Sequence, residues 1–376
     1  MHNLCVLLVF TAAGIFFALP GSAPAPRQAR FAHHIVDSAG PLDPWLKSLG
    51  DLNGDGKIDL IAGGRANGGL VWYRNPDWAK TQITEGSFGT DAEAADIDGD
   101  GDLDVVAISE KPSSLSWYEN PGWQRHAISA MQLHDIEILR FGPARRILIA
   151  ARNQGSFGSR GDSIHFLQQQ SDGAWSHAAI PVTNGEGLCS HDIDGDGDLD
   201  LVIERVWIEN TGDPALRPWP SHLYAPTWDY LFTFAAAGSI GRNAGPAIVL
   251  APSERAGAFY RLSVFEPPAN PRSGPWRERV IEPKVEAVHH FAGIADFNGD
   301  GLGDIATAQM QQGADPDEVK IYLNPGSGAV WRKVVLSTGG SHSMRIADID
   351  GDGDMDIYGA NWNKSTIYEW WENLFR

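Results

Sequence analysis

One nine-residue stretch, DIDGDGDLD, occurs twice in this 376-residue chain, at residues 96–104 and 192–200. Its relatives are DLNGDGKID (51–59), DFNGDGLGD (296–304) and DIDGDGDMD (348–356). Each copy places side-chain oxygens at positions 1, 3, 5 and 9 and glycine at positions 4 and 6, where a side chain would hinder a tight turn. Ca²⁺ takes about six to eight oxygen ligands in a flexible geometry, and the backbone carbonyl of position 7 could complete the set. The sequence therefore predicts about five structural calcium ions.

The predicted calcium ligands are the residues at positions 1, 3, 5 and 9 of these acidic loops. They are Asp51, Asn53, Asp55, Asp59, Asp96, Asp98, Asp100, Asp104, Asp192, Asp194, Asp196, Asp200, Asp296, Asn298, Asp300, Asp304, Asp348, Asp350, Asp352 and Asp356. An EF-hand is excluded, because its position 12 requires Glu and its flanks are helices. Position 12 carries Ala62, Ala107, Ile203, Thr307 or Gly359, within apolar, strand-like runs. The alternative is that the loops are acidic hairpin turns that bind nothing.

The formal net charge of −19 favours the calcium interpretation. Clustered carboxylates repel one another until cations neutralise them, and ion binding would then contribute to folding stability. The same charge argues against nucleic acid as a partner, because phosphate contact requires a basic face.

Each acidic loop is followed by an apolar run, then by a segment resembling WYENP, and then by a segment that begins with Trp. LVWYRNPDW (70–78) and LSWYENPGW (115–123) are near-copies of the second segment, and WAKTQITE (78–85) and WRKVVLST (331–338) are examples of the third. Together with the strand before the loop, each unit contains four short strands. Four strands per repeat is the pattern of a propeller blade.

The Trp-led segment occurs six times, and RFAHHIVDS (30–38) is a seventh copy near the N-terminus. The last unit ends at WWENLFR (370–376) without a fourth strand of its own. We therefore predict an all-β fold, a seven-bladed β-propeller with four strands per blade, in which the N-terminal strand closes the last blade and removes its exposed edge. Two blades lack an intact acidic loop. In one of them, at 133–152, Asp135 aligns with the first Asp of the motif.

These loops, placed between the first two strands of each blade, resemble those of the FG-GAP/VCBS repeat proteins, which share the seven-bladed propeller of integrin α subunits. The resemblance covers residues 30–376 and implies the fold and calcium binding more specifically than any activity. The WYENP-type strand has a weaker resemblance to the propeller of the aldos-2-ulose dehydratases, which process anhydro-sugars. Other relatives are sugar-binding lectins and polysaccharide lyases. The resemblance thus implies a carbohydrate or an extracellular protein as the ligand.

In propellers of this type the calcium loops lie on one face, and the inner strands begin at the opposite face beside the central channel. Polar residues just upstream of the loops should therefore surround one concave mouth. The predicted ligand-binding residues there are Lys47, Asp91, His134, His191, Trp228, Asp229 and His289. Trp45 and Trp362 also depart from the repeat pattern and could stack a sugar ring.

Two functions remain open from the sequence. The first is a calcium-stabilised binding propeller for carbohydrate or another extracellular ligand. The second is a carbon–oxygen lyase, either a dehydratase or a polysaccharide lyase, with His290, His342, Arg345 and Glu93 as catalytic residues. A histidine would remove a proton next to a carbonyl, and Arg345 would stabilise the resulting oxyanion. The converging histidines could also bind an additional metal, or they could simply satisfy polar strand ends.

Residues 1–25 have the composition of a secretory signal peptide, with an apolar run from Leu4 to Leu19 followed by small residues and proline. The alternative is an uncleaved anchor, because no Lys or Arg precedes the run. Cleavage would leave one propeller domain over residues 26–376, secreted or periplasmic, with no further membrane span. Cys189 would then be the only cysteine, which excludes an intrachain disulfide.

Overall fold

A computed structural model of the chain describes residues 29–141, 146–153, 162–241, 245–326 and 330–375. Within these ranges the backbone forms strands, turns and irregular segments and contains no helix, so no apolar helical segment of membrane-spanning length is found there. The predicted signal peptide, residues 1–25, lies outside the described residues.

In the described part of the chain, 28 strands form seven antiparallel sheets of four strands each, which are the blades of a propeller. Blade 1 consists of β2 (Pro44–Gly50), β3 (Asp59–Gly64), β4 (Leu70–Arg74) and β5 (Ala79–Thr84). Blade 2 consists of β6 (Phe88–Ala95), β7 (Asp104–Glu110), β8 (Ser113–Glu119) and β9 (Gln124–Ser129). Blade 3 consists of β10 (Leu133–Phe141), β11 (Arg146–Asn153), β12 (Ser163–Gln169) and β13 (Trp175–Pro181). Blade 4 consists of β14 (Cys189–His191), β15 (Asp200–Val202), β16 (Val206–Ile208) and β17 (Ser221–Leu223).

The remaining blades follow the same pattern. Blade 5 consists of β18 (Thr233–Gly238), β19 (Ala247–Pro252), β20 (Arg255–Glu266) and β21 (Arg277–Ala287). Blade 6 consists of β22 (His289–Ala295), β23 (Asp304–Gln309), β24 (Val319–Leu323) and β25 (Arg332–Ser337). Blade 7 consists of β26 (Ser343–Ala347), β27 (Asp356–Ala360), β28 (Tyr368–Asn373) and, as its outer strand, β1 (Phe31–Asp37).

The ring is closed by pairing between the two ends of the chain. Strand β1 pairs antiparallel with β28, from Phe31 opposite Asn373 to Asp37 opposite Tyr368. The first strands of most neighbouring blades contact one another around the central channel. The predicted all-β, seven-bladed fold with N-terminal closure is therefore confirmed.

The hydrophobic core lies between neighbouring blades. Leu46 and Ile61 of blade 1, for example, pack with Phe88, Val105 and Tyr118 of blade 2. The second strand of a blade is covered on both faces, which explains why the acidic loops are followed by continuous apolar runs rather than by alternating ones.

The recurrent tryptophans hold the outer strands to the blades. The His126 ring stacks on Trp117 at a centroid distance of 4.3 Å, and its Nε2 lies 2.6 Å from Glu119 Oε2. His222 stacks on Trp207 in the same way. These histidines and tryptophans are thus occupied in packing strands far from the channel.

One detail of the predicted register is wrong. Asp135 does not begin a turn between the first two strands of blade 3. It lies near the start of β10, where it pairs with Arg152 of β11. Strand β10 continues for six residues beyond Asp135, whereas the first Asp of an acidic loop directly follows the first strand. One matching Asp was therefore not enough to align this blade with the others.

Candidate functional site

The five acidic loops connect the first and second strands of blades 1, 2, 4, 6 and 7 at one end of the molecule. In the loop 51–59, Asp51 Oδ1 accepts the backbone N–H of Asp55 at 3.0 Å, and Asp51 Oδ2 accepts that of Gly56 at 2.8 Å. Gly54 and Gly56 have φ values of +69° and +85°, in the left-handed region that glycine tolerates best. The turn that gathers the oxygens therefore requires glycine at positions 4 and 6.

The loops are suited to a cation. Asp96, Asp98 and Asp100, at positions 1, 3 and 5, each place one carboxylate oxygen within 4.8 Å of the others. In two other loops the group joins positions 1, 3 and 9, namely Asp192/Asp194/Asp200 and Asp348/Asp350/Asp356. These sets match the predicted ligands, and carboxylate oxygens are what Ca²⁺ prefers.

In three of the loops position 7 is an aspartate, Asp102, Asp198 or Asp354, and carries side-chain oxygens in addition to the backbone carbonyl expected from the sequence. At Asp102 and Asp198 one oxygen of this side chain is buried and has no hydrogen-bond partner among the described residues. Burial and the neighbouring loop carboxylates raise the pKa of Asp198 to about 6 and that of Asp354 to about 7. Partly buried carboxylates that repel one another fit a loop that is completed by a cation.

A cavity of about 910 Å³ occupies the mouth at the opposite end of the channel. The floor of this cavity is formed by residues near the start of the first strand of most blades. Its rim is formed by residues in the turns that follow the second strands. The floor residues are Trp45, Thr90, His134, Glu186, His290 and His342. The rim residues include Arg65, Glu254, Arg255, Gln312 and Trp362.

One wall of this mouth cavity is aromatic. The Trp45 ring is stacked on that of His342 at a centroid distance of 5.3 Å and meets Trp362 edge-on at 6.0 Å. The Arg65 guanidinium lies 4.0 Å from the Trp45 ring centre. Trp362 Nε1 donates to Gln312 Oε1 at 3.1 Å, which fixes the orientation of the indole.

The histidines on the floor of the cavity differ in charge. Burial opposes protonation of His134, but Asp135 and Glu186 outweigh it and raise the pKa of His134 to about 10. Burial and neighbouring cationic or imidazole groups hold the pKa values of His290 and His342 well below the usual range, so these rings are neutral at pH 7. Their centroids are 4.1 Å apart.

Two glutamates face these rings. Glu254 Oε1 lies 3.5 Å from His290 Nε2, and Glu186 Oε1 lies 3.9 Å from His134 Nε2. Burial, followed by the charge of Glu186, raises the pKa of Glu254 to about 7. Glu254 also adopts a φ of +69°, a conformation that costs a non-glycine residue on the order of 1–3 kcal/mol and that is concentrated at functional sites.

A smaller cavity of about 280 Å³ continues the channel below the mouth and is bordered by His290, Asp91, Glu93 and Arg345. Arg345 Nη2 lies 2.5 Å from Asp91 Oδ1 and 3.8 Å from Glu93 Oε1. Burial raises the pKa of Glu93 well above its ordinary value. The predicted catalytic set is therefore divided: His290 and His342 line the mouth cavity, Arg345 and Glu93 line the channel, and His290 borders both.

Of the predicted ligand-binding residues, His134 lines the mouth cavity and Asp91 borders the smaller channel cavity. The others line neither cavity. Lys47 is fully buried, and its Nζ donates to the carbonyls of Pro44 and Ala360. Trp228 is buried in the core between blades 4 and 5. His289 is also fully buried, and Asp229 is exposed beside Tyr260. His191 ends β14 next to an acidic loop, at the far end of the channel.

Several residues of the mouth cavity escaped the sequence analysis. Arg65, Glu254, Arg255 and Gln312 all follow the second strand of a blade. That strand runs back from the acidic loop to the mouth, so the turn after it lies at the same end as the start of the inner strand. The position of these turns was therefore a usable signal.

Comparisons with known proteins agree with this architecture. The FG-GAP-like repeat model matches residues 51–107 and 296–359. A search of curated proteins found no match. The chain therefore carries FG-GAP-like repeats on a seven-bladed β-propeller.

Solved structures of similar fold include virginiamycin B lyase from Staphylococcus aureus, with a TM-score of 0.55 and 10% identity over 92% of this chain and 99% of that chain. BBS1N, solved in complex with ARL6DN, gives a TM-score of 0.56 and 9% identity over 93% of this chain and 98% of that chain. YCF48 from Cyanidioschyzon merolae gives a TM-score of 0.54 and 11% identity over 91% of this chain and 99% of that chain. At these identities the similarity concerns the fold alone.

Proposed function

We propose that this protein is a secreted, calcium-stabilised propeller that binds a carbohydrate in the mouth cavity. The observation that carries the proposal is the aromatic wall of Trp45, His342 and Trp362 beside a row of polar side chains. A cavity of about 910 Å³ is large enough for a small oligosaccharide and lies within the usual range for ligand sites, about 300–1,000 Å³.

The chemistry of the wall suits a sugar ring. One face of a pyranose presents C–H groups that pack against an indole, whereas its hydroxyls lie around the edge. Trp362 is partly exposed and held in place by Gln312, so it forms a rigid platform. Arg65 and Arg255 at the rim favour a sugar that carries a carboxylate, because guanidinium groups bind carboxylates in a bidentate manner.

Calcium has a structural role in this proposal. The acidic loops lie at the end of the channel opposite to the mouth, so the ions would stabilise the turns between strands without contacting the ligand. Cys189 is a free thiol and forms no disulfide within the described residues, so ion-filled loops would supply rigidity to the propeller.

A glycan panel that includes uronate polymers, screened by binding in excess Ca²⁺, tests the proposal. Trp362→Ala is expected to weaken binding at least tenfold, and Trp362→Phe, which keeps an aromatic face, is expected to weaken it much less. Unchanged binding by Trp362→Ala, with an unchanged melting temperature, would remove the mouth cavity from consideration.

A second candidate function, a lyase, is favoured by the neutral His290–His342 pair next to Glu254. A neutral imidazole can take the proton next to a carbonyl while the substituent on the next carbon leaves with its electron pair and is protonated, which forms a C=C bond. Uronate polymers and keto-sugars would be monitored for the absorbance of an unsaturated product. Turnover that is lost in His342→Ala would support the lyase, whereas binding without turnover would support the binding protein alone.

A further inference from the structure

Three blades bring potential metal ligands together at the floor of the mouth cavity. His134 lies near the start of β10, Glu186 lies just before β14, and His290 lies in β22. One ligand atom from each residue lies within 4.8 Å of the other two. All three residues are at least 96% buried. Because they come from blades 3, 4 and 6, the group is produced by the closure of the ring and not by any local motif.

His134 is held by a carboxylate in the way that metal-binding histidines usually are. Its Nδ1 lies 3.0 Å from Asp135 Oδ2, which leaves Nε2 facing Glu186. Asp135 Oδ2 also accepts the backbone N–H of Gly187 at 3.0 Å. The same carboxylate therefore orients the imidazole and anchors the segment that carries Glu186. Such outer partners fix the tautomer and orientation of the ligands at metal sites.

His290 has a free donor atom for an ion. Its Nε2 is 3.5 Å from Glu254 Oε1, and its Nδ1 is buried without a hydrogen-bond partner in the part of the chain that the structure describes. A buried imidazole nitrogen without a partner loses the free energy of its hydration. Binding to a metal ion would compensate for that loss.

We propose that His134, Glu186 and His290 bind one transition-metal ion of the zinc class at the floor of the mouth cavity. Two imidazole nitrogens and one carboxylate form a set that suits Zn²⁺ and similar ions, whereas Ca²⁺ takes oxygen ligands. Three protein ligands leave a fourth position open towards the cavity, where Glu254 lies. This inference goes beyond the proposed carbohydrate binding and does not depend on it.

Cobalt provides a spectroscopic test. The purified full chain would be treated with chelator, returned to excess Ca²⁺ so that the acidic loops are filled, and titrated with Co²⁺. We expect intense visible absorption typical of a four- or five-coordinate site, which saturates at one equivalent and disappears when Zn²⁺ is added. A weak octahedral spectrum, or absorption that does not saturate, would overturn the proposal.

Variants locate the site. Glu186→Gln, which preserves shape, is expected to weaken Co²⁺ binding at least tenfold, and His290→Ala is expected to abolish the intense absorption. His126→Ala, which removes a histidine paired with a glutamate on an outer strand, is the matched control and should bind as the unmodified protein does. Should His290→Ala fail to fold, Glu186→Gln alone decides: binding equal to that of the control would refute the assignment.

Discussion

Asp104 and Asn120 link two repeat modules of blade 2 and attach them to blade 1. Asp104 Oδ1 accepts the backbone N–H of Asn120 at 2.9 Å, and its Oδ2 accepts that of Ile97 at 3.0 Å. The Asn120 side chain then donates to the carbonyl of Leu52 in the preceding blade at 2.7 Å. The last Asp of the acidic loop and the Asn of the WYENP segment thus act as one unit.

The same pair occurs in every blade that has an acidic loop. The other pairs are Asp59–Asn75, Asp200–Asn210, Asp304–Asn324 and Asp356–Asn373. The Asp59–Asn75 pair lies in blade 1, next to the last blade of the ring. There the Asn75 side chain donates to the carbonyl of Ile349 in blade 7 at 2.6 Å. In blades 1, 2, 6 and 7 the Asn side chain donates to a carbonyl of the preceding blade, so the ninth position there supports the blade boundary, whether or not it also binds the ion.

The first prediction separates this support from ion binding. Asp104→Asn replaces one acceptor with an N–H group that faces a backbone N–H, and we expect it to lower the free energy of unfolding by about 1–3 kcal/mol. Because Asp104 bonds to the protein, the loss should persist in chelator. Asp98→Ala, which removes the ligand oxygen at exposed position 3 of the same loop, should destabilise the protein mainly in Ca²⁺. Denaturant unfolding with and without chelator checks both, and a loss for Asp104→Asn that vanishes in chelator would contradict the assignment.

The second prediction concerns removal of calcium. An ion that binds only the folded state stabilises it by about 2.7 kcal/mol when its free concentration is a hundred times its dissociation constant. Several filled loops should therefore raise the melting temperature by many degrees. Calorimetry after thorough dialysis against chelator checks this, and an unchanged melting temperature would exclude a structural role for the loops.

Addition of other ions provides the control for that experiment. Ca²⁺ should restore the original melting temperature. Mg²⁺ should restore much less, because it requires a tighter octahedral geometry and keeps its water ligands. Equal recovery with Mg²⁺ would indicate general charge screening instead of specific sites.

The repeats in the sequence predicted the fold better than the mouth cavity, because only the fold is built from recurring motifs. Loops, tryptophans and ring closure follow from motifs that recur in the sequence and have one place in each blade. The mouth cavity is not repeated, and a one-residue difference in position moves a side chain to the other face of a strand. His290 lines the cavity, for example, whereas its neighbour His289 is fully buried outside it.

Charge at the floor of the cavity also could not be read from the sequence. The partners of His134 are Asp135, its neighbour in the chain, and Glu186, from the next blade. Glu254 faces His290 from blade 5. These relationships depend on how the blades are arranged around the channel, which no local pattern specifies.

The third prediction concerns closure of the ring. Removing residues 1–38 would delete β1 and expose the edge of β28, which pairs with it along its length. We expect a lower melting temperature and concentration-dependent association, because an unpaired edge strand attracts other strands. Removing only residues 1–28 is the matched control and should leave both properties unchanged. Calorimetry and light scattering check the prediction, and a shortened chain that stays monomeric with the same melting temperature would contradict it.

The fourth prediction concerns the thiol of Cys189, which borders the channel cavity. Burial, and then the charge of Glu137, raises its pKa well above the ordinary value. Because the thiolate is the reactive form, alkylation of the folded protein at pH 8 should be slow and should rise steeply in denaturant, where the pKa returns to about 8.5. Mass spectrometry of iodoacetamide-treated protein measures the rate, and Cys189→Ser gives the background from Cys5 when the leader is present. Alkylation of the folded protein as fast as that of the unfolded protein would contradict the raised pKa and show that Cys189 is reactive in the folded state.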